Sequence, residues 1–172
     1  RRFGPFLQRG LNNRAEGFAL RFLGWHVDMI DGCKISDPKH PDGPDLDRPL
    51  LPCVTINIPE LEANLRPTAA LRHSHPTDLD RPYQLLVEEI GAGEDFDTNI
   101  HFSRLWHTSP SNRFERLLTE SGVPLGILSN GSCIRLFYAP RGETTGHITF
   151  DCAHMTAPAG RLIVAGMKAL LN

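Results

Sequence analysis

Lysine is scarce in this chain of 172 residues, because only three of its 18 basic residues are lysine and the other fifteen are arginine. The lysines are Lys34, Lys39 and Lys168. The formal net charge of −2 excludes a globally basic nucleic-acid binder. The arginine excess is typical of a GC-rich genome, and it also fits phosphate recognition, which suits the planar guanidinium group.

Long apolar runs are also missing, since no stretch approaches the roughly 20 residues that a membrane helix needs. The first residues, Arg1-Arg2-Phe3-Gly4-Pro5, are not followed by the apolar segment of a signal peptide. The four cysteines are scattered without disulfide-scaffold spacing. We therefore expect a cytoplasmic protein with no membrane partner, and the lack of an initiating Met suggests numbering that starts inside a longer chain.

One domain is expected over residues 1–172, because 40% apolar residues in a chain of this length can form one core. Apolar spacing predicts a first helix over residues 13–23, which carries Glu16, and a short strand over residues 25–30. Residues 31–82 are predicted to be a long, Pro-rich irregular excursion, with a short strand over residues 54–58 and no clear periodicity from residue 66 onward.

Regular structure is predicted again from residue 83. The apolar centre of residues 83–90 favours a strand covered on both faces, and Ser109-Pro110 is typical of a helix start, which Gly122 would end. Strands are predicted over residues 125–129, 132–138 and 147–150, with a type I′ turn at Asn130-Gly131. A last helix over residues 158–171 is expected to point Ile163, Met167, Leu170 and Leu171 inward. This order implies a mixed sheet flanked by helices, an α/β fold.

The second half of the sequence resembles a known family. The segments that carry the resemblance are residues 106–118, which begin Trp-His-Thr-Ser-Pro, residues 122–131, which end in Ser-Asn-Gly, residues 135–143, and Gly146-His147. Together they are similar to the N-terminal region of large DNA adenine methyltransferases of phage-defence systems, the DISARM type especially, and of related fused restriction-modification enzymes. The match covers roughly residues 83–171, and before residue 82 only the first helix, Glu16 and the Leu-Gly-Trp ending agree.

The resemblance extends to the PD-(D/E)xK nuclease-like domain of restriction subunits and implies a mixed sheet flanked by helices. An active domain of this kind would hold Mg²⁺ on two acids and position water with a lysine. Glu16 matches a helical acid, Asp42 or Asp45 could be the first strand acid, and Glu88 or Glu89 the second. The lysine is missing, because Ile90 and Gly91 stand two residues after these glutamates. We therefore expect a degenerate nuclease-like fold, without confident catalytic residues.

The methyltransferase half of such enzymes is absent from this sequence. It would bind S-adenosylmethionine on a Gly-rich strand-turn-helix and hold a flipped adenine with an Asn-Pro-Pro-Tyr-like motif. Neither pattern occurs here, so no cofactor is expected in this chain. Nor do the cysteines and histidines show the paired spacing of a zinc site, so no metal is expected unless the nuclease is active, in which case it would be Mg²⁺.

Four arginines near the predicted helix and hairpin are candidates for phosphate contact: Arg113, Arg116, Arg135 and Arg141. A solvated surface, or ion pairing with Glu115, Glu120 and Glu143, is the alternative. Three functions follow: a non-catalytic accessory domain that engages DNA, an active Mg²⁺-dependent endonuclease domain, or a scaffold that docks other subunits of a defence complex.

Overall fold

The computed structural model describes residues 30–32, 34–35, 46–47, 49–73 and 82–171. The predicted first helix with Glu16, and the acids Asp42 and Asp45, lie outside the described residues. The strand predicted over residues 25–30 is described only at Ile30, the first residue of a strand.

Twelve strands and three α-helices occur in the described part of the chain. The strands are β1 (Ile30–Asp31), β2 (Lys34–Ile35), β3 (Leu46–Asp47), β4 (Ile56–Ile58), β5 (Ala63–Leu65), β6 (Ala69–Arg72), β7 (Tyr83–Glu89), β8 (Ile100–His101), β9 (His107–Thr108), β10 (Leu125–Ser129), β11 (Cys133–Tyr138) and β12 (Gly146–Asp151). The helices are α1 (Pro110–Ser121), α2 (Cys152–Thr156) and α3 (Arg161–Leu171).

Six of these strands form one mixed sheet in the order β1, β6, β7, β10, β11, β12. All neighbours are antiparallel except β7 and β10, which run parallel. A parallel pair needs a crossover connection, and α1 lies on that connection. The expected mixed sheet with flanking helices is therefore confirmed. No helix in the described ranges is long and apolar enough to span a membrane.

The prediction of an irregular segment after residue 66 is wrong for β6. Ala69, Ala70 and Leu71 are all buried, because β6 lies inside the sheet between β1 and β7. A strand that is covered on both faces shows no alternation of apolar and polar residues, so its sequence has no period to detect. The predicted strand over residues 54–58 is shorter than expected, since a 3₁₀ turn occupies Pro52–Val54 and β4 follows.

Helix α1 begins and ends where the sequence predicts. The Ser109 hydroxyl accepts a hydrogen bond from the Asn112 backbone N–H at 3.2 Å, which caps the first turn. Gly122 follows the last turn with a φ of 69°, the left-handed conformation that glycine adopts without strain. A Cβ on Gly126 would lie only 2.6 Å from Phe114, so α1 packs directly on the backbone of β10.

The two faces of the sheet carry separate cores. The α1 face, defined by the residues packed with α1, includes Ala70, Leu86, Phe114, Leu128 and Phe137. The α3 face, which α2 and α3 cover, includes Leu71, Leu85, Val87, Ile134 and Met167. Alternate residues of β7 thus enter opposite cores, as strand geometry requires.

The predicted inward face of the last helix is partly wrong. Met167 is fully buried, and Leu171 packs against the same core, as expected. Ile163 and Leu170 are 38% and 57% exposed, and Val164 packs inward instead. The helix begins at Arg161 after a 3₁₀ turn, and its inward stripe follows the spacing i, i+3, i+7 from Val164.

The hairpin between β10 and β11 turns by a different geometry from the predicted type I′. Gly131 has a φ of 80°, whereas Asn130 is not among the residues with positive φ. The backbone N–H of Asn130 donates to the Cys133 carbonyl, so Gly131 and Ser132 form the tip. A type I′ turn needs positive φ at both central residues, so positive φ at Gly131 but not at Asn130 excludes it. The physical reason is the buried Asn130 amide, whose oxygen accepts from the backbone N–H groups of Ser132 and Cys133.

We predict that Gly131→Val lowers the free energy of unfolding by about 1–3 kcal/mol, because a β-branched residue resists positive φ. No other atom lies within 4 Å of a Cβ at this position, so backbone strain alone would cause the loss. Urea denaturation measures it, with Ser132→Val as the control at the neighbouring tip position. Equal midpoints for the two variants would contradict the strain at Gly131.

Candidate functional site

Strand β7 places the two candidate glutamates on opposite faces of the sheet. Glu88 follows Leu86 on the α1 face, whereas Glu89 follows Leu85 and Val87 on the α3 face. The two carboxylates therefore cannot converge on one metal ion from adjacent positions. A nuclease site on this strand would have to use one of them, with acids from other elements.

The Glu88 carboxylate is sealed against α1 by an arginine. The Arg113 guanidinium donates to Glu88 Oε1, and the two side chains are only 12% and 11% exposed. The same guanidinium lies over the Phe102 ring, 4.4 Å from its centroid. Burial raises the pKa of the Glu88 carboxyl above its ordinary value, and the Arg113 charge opposes that rise. The pair is thus a structural ion pair with little access to solvent.

Ile90 stands at the position where the nuclease pattern expects the catalytic lysine, and its backbone is bonded to the neighbouring strand. Ile90 donates its backbone N–H to the Ser129 carbonyl at 2.9 Å. Within the described ranges, no group of three or more His, Cys, Asp or Glu side chains is placed to hold a metal ion. Glu16, Asp42 and Asp45 lie outside those ranges, so the proposed Mg²⁺ ligand set stays a prediction.

A second buried arginine anchors the start of α1. Arg135 on β11 donates to both carboxylate oxygens of Asp97, at 2.5 and 2.9 Å, and to the Ser111 hydroxyl at 2.6 Å. It also donates to the Thr149 hydroxyl on β12, and its guanidinium lies 4.9 Å from the Phe96 ring centroid. The hydrogen bonds from Arg135 hold the pKa of Asp97 below its ordinary value.

Two of the four candidate phosphate-binding arginines lie at the surface. Arg116, on α1, is within 3.6 Å of Glu60 and 3.5 Å of Glu120, and its side chain is about two-fifths exposed. Arg141 is exposed and extends toward the end of α1, where a Cβ on Gly122 would meet its guanidinium at 2.8 Å. Arg113 and Arg135 are instead engaged inside the protein, with Glu88 and Asp97 rather than with the glutamates that the sequence suggested.

Sequence reasoning missed one buried polar cluster, formed by Asp31, Arg72 and Tyr83. Asp31 Oδ2 accepts from Arg72 Nε at 2.7 Å and from the Tyr83 hydroxyl at 2.6 Å. The same hydroxyl accepts the backbone N–H of Leu51 at 3.0 Å. Burial raises the pKa of Tyr83, and the Asp31 carboxylate raises it further.

The sequence offered no signal for this cluster, because its three members are 11 to 52 positions apart and each has a common local explanation. Asp31-Gly32 is typical of a turn, and Tyr83 is typical of a strand. The cluster ties β1, β6, β7 and the segment at Leu51 together, with Asp31 Oδ2 accepting from both Arg72 and Tyr83. We assign it a structural role.

No family model, curated protein or solved structure matches this chain. The relation to DNA adenine methyltransferases of defence systems therefore stays a prediction from the sequence pattern.

We predict that Arg113→Met lowers the free energy of unfolding by about 3–5 kcal/mol at neutral pH, because Glu88 would be left charged in the core. Loss of Arg113 raises the folded-state pKa of Glu88 further, so the folded state binds a proton that the unfolded state releases. The stability of this variant is then greatest below the unfolded pKa of glutamate and falls as pH rises through the folded pKa.

Urea titrations at several pH values test this ion pair. The double variant Glu88→Leu/Arg113→Met removes both charges and is expected to regain most of the stability. Arg104→Met is the matched control, since Arg104 pairs with Glu62 at the surface and its loss should change little. A similar small effect for Arg113→Met would show that the buried pair does not hold α1.

Proposed function

We propose that this chain is a DNA-engaging accessory domain of a restriction-modification or phage-defence DNA methyltransferase, and that it does not cleave DNA by itself. The observation that carries the second part is the sealed Glu88 carboxylate, paired with Arg113 under α1. A metal ligand must present free oxygen lone pairs to the ion, and this carboxylate is buried and neutralised by a guanidinium.

The sheet supports the nuclease-like reading of the sequence. A central strand with two consecutive acids, a helix with a Ser-Pro start, and a parallel strand that ends in Asn-Gly follow one another as the resemblance implies. The PD-(D/E)xK assignment is the finer part of our proposal. On this view the fold is retained as a module, while the catalytic lysine is missing and the paired Glu88 does not serve cleavage.

DNA contact is proposed through Arg116 and Arg141, which bring two exposed guanidinium groups to α1 and its C-terminal end. Guanidinium groups bind phosphates without reading the DNA sequence, so the contact would position the duplex without sequence specificity. With a net charge of −2 and acids next to Arg116, we expect weak binding that needs the rest of the enzyme for its target.

A protein-docking scaffold is the second candidate, and the outer face of α3 favours it. Leu162 is 83% exposed and Leu170 57% exposed on the same helix. Apolar side chains gathered on one exposed face are typical of surfaces that bind other proteins. The active endonuclease is the third candidate, and its Mg²⁺ would need Glu16 and Asp45 together with Glu88 or Glu89.

We predict that the chain does not nick supercoiled plasmid in Mg²⁺ or Mn²⁺ above the background of a Glu88→Gln/Glu89→Gln variant. Loss of a preorganised charged group of the lysine type typically lowers the rate about 10²–10³-fold. Gel densitometry of plasmid forms over time measures the rate. Nicking by the unaltered chain that disappears in a glutamine variant still folded by circular dichroism would establish the endonuclease and refute our proposal.

We also predict weak binding of duplex DNA that falls steeply with salt, measured by fluorescence anisotropy at low and moderate ionic strength. Arg141→Ala should weaken binding and reduce the slope of log affinity against log salt by about 1. Arg161→Ala, an exposed arginine on α3, is the matched control and should leave the slope unchanged. No binding even at low salt would reject DNA engagement and leave the docking scaffold.

A further inference from the structure

Strand β12 is an edge of the six-stranded sheet, and its hydrogen bonds show which of its backbone groups point away from the sheet. Cys152 donates its backbone N–H to the Ser132 carbonyl at 2.9 Å. Narrow and wide pairs alternate along an antiparallel ladder, so Ile148 and Phe150 also bond to β11. The N–H and C=O groups of His147, Thr149 and Asp151 therefore point away from the sheet.

In the part of the chain that the structure describes, this edge lacks most of the usual protections of a free edge strand. Within the described residues no strand pairs with the outer side of β12. Its sequence, Gly-His-Ile-Thr-Phe-Asp, contains neither proline nor lysine, and its six residues exceed a short edge strand. Ile148 is 49% exposed next to this edge, although it lies on the apolar α3 face. A strand with these properties is suited to pair with another strand.

We propose that β12 pairs with β12 of a second copy of this chain, antiparallel across a two-fold axis at Thr149. In this register His147 lies opposite Asp151 of the partner subunit, and Ile148 lies opposite Phe150 of the partner subunit. Every outward-pointing backbone group between His147 and Asp151 then finds a partner. The six-stranded sheet would continue into a twelve-stranded sheet.

The side chains of β12 are complementary to their own two-fold image. The pair of His147 with the partner's Asp151 brings an imidazole to a carboxylate, and symmetry produces that pair twice. Oδ1 of this carboxylate caps α2, and its Oδ2 lies 3.5 Å from His154 Nδ1 within the same copy. Thr149 meets its own copy on the axis, and threonine pairs are favourable between strands. Ile148 and the partner's Phe150 meet on the α3 face, where both strands are apolar. An unrelated peptide would need this pattern by chance, whereas a second copy has it by symmetry.

The neighbouring registers pair fewer complementary side chains. A shift that centres the axis on Ile148 places His147 opposite threonine and moves Asp151 beyond the partner strand. A shift that centres it on Phe150 leaves His147 outside the pairing. The register centred on Thr149 alone uses the whole strand and pairs His147 with Asp151, and this dimer is independent of the function proposed for the domain.

Sedimentation velocity over a range of concentrations up to about 1 mM tests the dimer. A strand pair is a small interface, so we expect a dissociation constant on the order of 10–100 µM. Thr149→Pro removes an outward N–H without breaking a bond to β11, and it should yield a monomer. Thr149→Val is the matched control, because it loses the same hydroxyl contact with Arg135 and keeps the N–H.

A second pair of variants leaves Thr149 untouched, in case the proline variant does not fold. His147→Glu faces the partner's Asp151 with a like charge and should raise the dissociation constant about tenfold or more. His147→Lys keeps the attraction and should preserve the dimer. A chain that stays monomeric at every concentration overturns the proposal. So does a dimer that neither Thr149→Pro nor the charge at position 147 affects.

Discussion

The buried ion pair of Glu88 and Arg113 is the contact on which the centre of this fold depends. A carboxylate at the middle of a six-stranded sheet cannot remain charged without a partner, because desolvation would cost more than folding can offset. Arg113 comes from the first turns of α1, so the charge fixes where the helix lies over β7. Arg135 on β11 fixes the start of α1 in a similar way, because it donates hydrogen bonds to Ser111 and Asp97. The start of α1 is therefore held by charged groups and its remainder by apolar packing.

This arrangement also decides what the strand can do chemically. A metal-dependent nuclease needs a strand acid whose oxygens are free to bind the metal ion. An acid that is paired with a buried arginine stabilises the fold instead. The guanidinium stacked on Phe102 completes the seal from the solvent side. Ile90, two residues after Glu88, donates a backbone bond to Ser129 and packs against the core on the α1 face. On our proposal, the sheet and α1 are retained as an accessory module of a larger DNA-modifying enzyme and do not cleave DNA by themselves.

The sequence predicted those elements whose signals are local. The Ser109-Pro110 start, the Gly122 end and the apolar run of β7 each determine structure over a few residues, and all three are confirmed. Long-range pairing was not predictable: Arg113 lies 25 positions from Glu88, and nothing local distinguishes a paired arginine from a phosphate-binding one. The turn type was wrong because the Asn130 side chain bonds to the turn backbone, a competition that a dipeptide preference ignores. Glu16, Asp42 and Asp45 stay predictions, since they lie outside the described residues.

The edge of the sheet at β12 bears on assembly. This strand presents six residues, and in the described part of the chain no strand pairs with its outer side. A two-fold contact uses the same edge of both copies, so neither copy keeps that edge free for a third. Two-fold pairing through β12 would use that edge in both copies, and assembly would end at a closed dimer.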